Sequence, residues 1–129
     1  MRAYAGVTAI EVKEFLDSGI LDVSDVYAAT GVFIAHNGDL NEEEVEFTLS
    51  LVAAEDALEL TSESSGSACV LAFEIPDENI ESMHEMSVSL RAPLKWEEVE
   101  CCFLVSQDGE DLTWFATQEI SNNLAEWLV

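Results

Sequence analysis

The sequence predicts one α+β domain, or an open α/β layer, built on a single mostly antiparallel sheet covered by two main helices. Three observations carry this expectation. Capped helix starts at Thr8 and Asn41 fall in the first half of the chain, whereas apolar runs of strand length crowd the second half. Cys69 to Ile75 is a near-continuous apolar run closed by Pro76-Asp77, the pattern of a buried central strand. Asp108-Gly109 separates two further apolar runs, as a hairpin turn does. With 129 residues, 49% of them hydrophobic, the chain can bury one core. No repeat or long linker divides 1–129, so one globular domain is expected.

Arg2 to Val7 reads as the opening strand, with Tyr4 its packing residue. Thr8 and Glu11 form a capping-box pattern, each side chain positioned to satisfy a free backbone N–H at a helix start. Val12, Phe15 and Leu16 then share a helical face, and Ser18-Gly19 stops it. Val23 to Thr30 is a second strand, Gly31 to His36 is ambiguous, and Asn37-Gly38-Asp39 is a turn. Asn41 to Leu60 is the longest helix, capped by Asn41 with Glu44. Stepping at about 100° per residue gives it two apolar groups, Val45/Leu49/Val52 and Phe47/Leu51/Ala54/Leu58. Such a helix is expected to lie sandwiched between elements or to bend.

Thr61 to Ser67 is a Ser/Gly-rich connection, and Asn79 to Met86 a polar one. Ser87 to Arg91 alternates as an edge or half-buried strand does. Pro93 to Glu98 gives one helical turn, and Val99 to Val105 and Leu112 to Phe115 are strands. Ser121 is expected to cap a terminal helix carrying Leu124, Trp127 and Leu128.

Charge bounds the function. Four basic residues (Arg2, Lys13, Arg91, Lys95) face 27 acidic ones, a formal net charge of -23. Binding a polyanion requires Lys and Arg to neutralise phosphates, so nucleic acid and anionic membrane surfaces are excluded as partners. The field attracts cations and basic protein surfaces instead. It is densest from Asp39 to Glu63, a stretch without Lys or Arg.

Three cysteines at 69, 101 and 102 give an odd count without disulfide spacing, and Cys101 and Cys102 must point to opposite faces of a strand. Reduced thiols in a cytoplasmic protein are expected. No basic start followed by an apolar run suggests a signal peptide, and no segment reaches the about 20 apolar residues of a membrane span.

Candidate chemistry is sparse. The acidic group Asp39, Glu42, Glu43, Glu44 and Glu46 is the candidate partner-binding surface. Counted from Asn37, the sixth position of a calcium loop is Glu42 and not Gly, so that motif fails; weak divalent-cation binding stays as an alternative function. His36 and His84 are isolated from the cysteines and from each other, and no phosphate-cradling glycine loop occurs. No cofactor and no metal ligand is therefore predicted. Trp114, Phe115, Thr117, Gln118 and Glu119 form a second candidate motif, aromatics followed by polar groups at a strand end.

Met1-Arg2-x-Tyr4 with Thr8, the acidic start Glu42 to Glu46, Ala92-Pro93-Leu94 and Trp114-Phe115-Ala116-Thr117-Gln118-Glu119 together resemble an uncharacterised family of small actinobacterial proteins. The resemblance runs over nearly the whole chain and implies a bacterial, cytoplasmic, single-domain protein. The serine-rich connection after Leu60 departs from it, looking shorter and less basic. The early strand with Arg2 and Tyr4, the capped helix and the late Glu119 also resemble the layout of ADP-ribosyltransferase-like folds. That layout implies a dinucleotide bound at Arg2 and transfer directed by Glu119, but the chain lacks the Ser-Thr-Ser-like middle motif. The leading expectation is a non-enzymatic interaction or regulatory domain that binds a basic protein surface, in its extreme form by mimicking nucleic acid.

Overall fold

β1 (Arg2–Thr8) ends on the residue that starts the first helix, α1 (Ala9–Ser18). Thr8 Oγ1 accepts from Glu11 N, and Glu11 Oε1 accepts from Thr8 N at 2.9 Å, so the box closes as the sequence predicts. Gly19, at φ 83, supplies the left-handed stop. The structure is a computed structural model that describes residues 1–62 and 66–129.

A two-residue strand β2 (Ile20–Leu21), β3 (Asp25–Ala28) and a short helix α2 (Gly31–His36) follow. The ambiguous segment is helical because Thr30 Oγ1 accepts from Phe33 N. The long helix α3 (Glu42–Thr61) starts on a complete box between Asn41 and Glu44. Next come β4 (Ala68–Glu74), β5 (Ile80–Met83), β6 (Ser87–Leu90), β7 (Leu94–Lys95), β8 (Val99–Val105), β9 (Leu112–Ala116) and the terminal helix α4 (Thr117–Trp127). Residues 63–65 of the expected Ser/Gly-rich connection lie outside the described residues.

Among the described residues seven strands form one sheet in the order β5-β6-β3-β1-β4-β8-β9, and every neighbouring pair is antiparallel. β2 and β7 make a separate small ribbon. The α+β expectation describes this architecture. β4 is central and buried on both faces: Cys69, Leu71 and Phe73 point to one core and Ala68, Val70 and Ala72 to the other. Cys102 and Cys101 divide in the same way.

One face of the sheet is covered by α1 and α4 through Val12, Phe15, Ile120, Leu124 and Trp127. The other is covered by α3 through Val45, Leu49, Ala53, Ala54 and Ala57. The alanines matter because they let the helix backbone descend onto β1. A Cβ on Gly6 would fall on the Ala53 carbonyl oxygen and 2.9 Å from the Ala57 nitrogen.

Four expectations need correction. α3 is not sandwiched: Phe47 and Leu60 on its outer side are exposed, and its second apolar group divides, with Phe47 in solvent, Leu51 half-buried, Leu58 packed at the edge of the core and Ala54 inside it. The segment Asn79 to Met86 contains β5, an edge strand held by pairing with β6. The turn expected from Pro93 opens instead with β7 and is helical only at Trp96–Glu98, as a single 3-10 turn. α4 begins at Thr117 and not after Ser121, because Glu119 Oε1 accepts from Ala116 N at 2.9 Å and closes the helix start without a Ser or Thr cap.

Candidate functional site

Strand alternation on β1 sends Ala3, Ala5 and Val7 toward α1 and Tyr4 toward α3. Arg2 shares Tyr4's side, with its guanidinium carbon 5.8 Å from the Tyr4 ring centroid. Between these residues, α2 and the first turns of α3 lies a cavity of about 350 Å³. Its apolar wall is Met1, Ala29, Ile34, Leu40, Val45 and Leu49. Its polar groups are Arg2, Tyr4, Glu42 and Glu46.

Arg2 is poorly satisfied. Its Nε is buried without a hydrogen-bond partner, and a terminal nitrogen donates weakly to Cys101 Sγ at 3.8 Å. No carboxylate among the described residues lies within ion-pair distance of it. Burial pushes the Tyr4 phenol above its ordinary value, Glu46 adds to that and Arg2 opposes it. Burial likewise raises the Cys101 thiol, against the pull of Arg2. Cys101 is thus a neutral thiol beside a cation, not an activated thiolate.

On the other side of Arg2, a groove of about 270 Å³ runs between α3 and the β8–β9 pair. α3 packs mainly across β1, β4 and β3, and Phe103 and Leu112 of β8 and β9 are left half-buried at the edge of the core it makes. Phe103, Leu112 and Phe47 wall the groove, with Glu43 and Glu46 at its rim. Trp114 stands directly across from Phe103 in the strand register, so both share this face. Phe47 is 58% exposed and Trp114 57%. β9 is the outermost strand of the sheet, and one of its edges has no partner strand among the described residues.

A third cluster joins β3, β5 and β6. His84 Nε2 lies 2.8 Å from Ser89 Oγ, and Ser89 Oγ donates to Asp25 Oδ1 at 2.6 Å. In a nucleophilic triad the carboxylate orients the imidazole, which then takes the serine proton. Here the carboxylate takes the serine hydrogen bond itself, so the cluster lacks the required order. Among the described residues no group of His, Cys, Asp and Glu is arranged to hold a metal ion, and no helix is long and apolar enough to cross a membrane.

The predicted residues separate into distinct places. Glu44 is occupied by its capping bond, Glu42 and Glu46 face the cavity, Glu43 and Glu46 face the groove, and Asp39 is exposed in the turn before α3. Phe115 packs edge-on against Trp127 at 5.0 Å, on the sheet face opposite Trp114. Thr117 Oγ1 donates to the Val99 carbonyl at 3.0 Å, and Gln118 is exposed. Arg2 and Tyr4 come together, but Glu119 caps α4 on the far side of the sheet and does not join them. Sequence reasoning missed Phe47 as an exposed residue and Phe103 and Leu112 as half-buried walls of the groove. It also missed that the start of β1 meets the start of α3.

A family model described as a family of unknown function (DUF6912) matches residues 1–111, and the chain belongs to that family. The matched residues contain the whole Arg2 cavity and end before Trp114 to Glu119. No curated protein and no solved structure matches the chain.

Proposed function

We propose that this member of a family of unknown function is a non-enzymatic interaction domain, and that its anionic surface receives a basic protein segment on the Phe47–Trp114 groove. The supporting observation is the apolar strip of Phe47, Phe103, Leu112 and Trp114 bordered by Glu43 and Glu46. Exposed apolar patches rimmed by charge are typical of protein interfaces, where a buried aromatic anchor supplies most of the affinity. A second copy is a poor occupant, since each chain carries a net charge of -23. Neither a nucleic acid nor an anionic membrane suits that field. The free outer edge of β9 also offers backbone groups to an extended segment. A cytoplasmic setting in an actinobacterial cell, which the sequence resemblance implies, is part of the same reading and fits three free cysteines.

The test is capture from an extract of the source cell at low ionic strength, repeated near 1 M salt, where the screening length falls to about 3 Å. Basic proteins should bind the wild-type domain at low salt and be released at high salt. Phe47→Ser with Trp114→Ser, and separately Glu43→Lys with Glu46→Lys, should each reduce the captured amount about tenfold or more. Capture that survives both pairs of substitutions, or no basic protein bound at low salt, rejects the proposal.

A further inference from the structure

We propose that the cavity between α2, α3 and the start of β1 binds a free α-amino acid with an apolar side chain, its carboxylate on Arg2 and its ammonium on Glu42 and Glu46. The inference goes beyond the interaction surface and does not depend on it. At about 350 Å³ the cavity is at the small end of ligand sites, which run from about 300 to 1,000 Å³. Ile34, Leu40, Val45 and Leu49 offer an apolar wall, and the polar groups gather at Arg2, Tyr4, Glu42 and Glu46.

Arg2 carries the argument. Of the 4 basic residues only Lys13 is ion-paired among the described residues, so what sets Arg2 apart is its burial beside the cavity and not the missing pair alone. The described ion pairs join the Met1 ammonium to Glu74, Lys13 to Asp17 and His36 to Glu85. Arg2, like Arg91 and Lys95, is in none of them, but among the described residues only Arg2 has a buried side-chain nitrogen, Nε, without a partner. Buried donors are normally satisfied, and one left open needs a reason. A guanidinium presents a planar fork of donors whose best partner is a carboxylate. Nε itself is closed off from the cavity, so a carboxylate seated there meets the terminal nitrogens of the fork, and no carboxylate of the described residues pairs with them.

The neighbours of Arg2 then narrow the ligand. A plain anion would meet Glu42, Glu46 and the field of the whole chain. A plain cation would satisfy the two carboxylates but face Arg2 and leave its donors unmet. A zwitterion satisfies both ends at no net charge, and an apolar side chain suits the remaining wall. A free amino acid has all three properties.

Calorimetry and backbone amide NMR on the full chain, with L-leucine, L-phenylalanine, glycine, L-phenylalaninamide and N-acetyl-L-phenylalanine, test this. Leucine and phenylalanine should bind and shift the amide resonances of Ile34, Leu40 and Val45. Glycine lacks the apolar contact, the amide lacks the carboxylate and the acetyl form lacks the ammonium, so each should bind at least about tenfold more weakly. Arg2→Gln should weaken phenylalanine binding on the order of tenfold to a hundredfold, as losing a charged hydrogen-bond partner does. Arg2→Lys keeps the charge without the fork, and an intermediate loss there preserves the test if Arg2→Gln fails to fold. Three results overturn the inference: no response to either free amino acid at millimolar concentration, an acetyl form that binds as well as the free one, or Arg2 variants that bind like wild type.

Discussion

The Tyr27 hydroxyl on β3 donates to Asp56 on α3 and ties the sheet to the helix that covers it. Partial burial, the hydrogen bond to Asp56 and the negative charges of Asp56, Glu55 and Glu59 push its pKa from 10.0 up to about 12. A phenol whose pKa is higher in the folded state contributes stability that is complete below the unfolded value. That contribution is lost as pH rises through the folded value. The stability of wild type over Tyr27→Phe should therefore be constant up to pH 10 and shrink between pH 10 and 12, in urea unfolding at each pH. A constant difference across that window would show that the phenol keeps its ordinary pKa. Tyr27 and Asp56 are 29 positions apart, and no local pattern announces their contact. The same holds for Arg2, legible as one of four cations but not as the one with a buried, unpartnered nitrogen among the described residues. Its isolation exists only once β1 lies beside α3.

Elements whose ends are written in a few consecutive residues were legible; those defined by a neighbour were not. The boxes at Thr8/Glu11 and Asn41/Glu44 close within four residues, so the sequence states them completely. β5 has no alternation of its own and is a strand because β6 pairs with it. The two apolar groups on α3 misled for a related reason: the buried face is made largely of Ala53, Ala54 and Ala57, while bulky Phe47 faces outward. Small residues fit there because the helix lies against the bare backbone at Gly6. Gly6→Ala should force the helix off the strand and destabilise the domain by about 3 kcal/mol, the upper range for overpacking, in chemical denaturation. Gly38→Ala, with open space around it, should stay within about 0.5 kcal/mol of wild type. Equal effects at the two positions would contradict the close approach of α3 to β1.

The strand order β5-β6-β3-β1-β4-β8-β9 places the first strand near the middle of the sheet, an arrangement no local signal encodes. Charge, in contrast, is a property of the whole chain and was fully legible. At -23, with only three ion pairs among the described residues, the folded state concentrates repulsion that the unfolded chain disperses. Screening relieves it: the Debye length falls from about 30 Å at 0.01 M salt to about 3 Å at 1 M. The melting temperature should accordingly rise by about 4 °C or more between those limits, a shift that about 1 kcal/mol produces in a domain of this size. Sodium chloride and magnesium chloride at matched ionic strength distinguish diffuse screening from a bound ion. Diffuse screening gives one curve for both salts, whereas a site at Asp39 to Glu46 gives a further rise with magnesium that saturates with concentration. A melting temperature indifferent to both salts would mean that the carboxylates are too widely spaced over the surface for repulsion to limit stability.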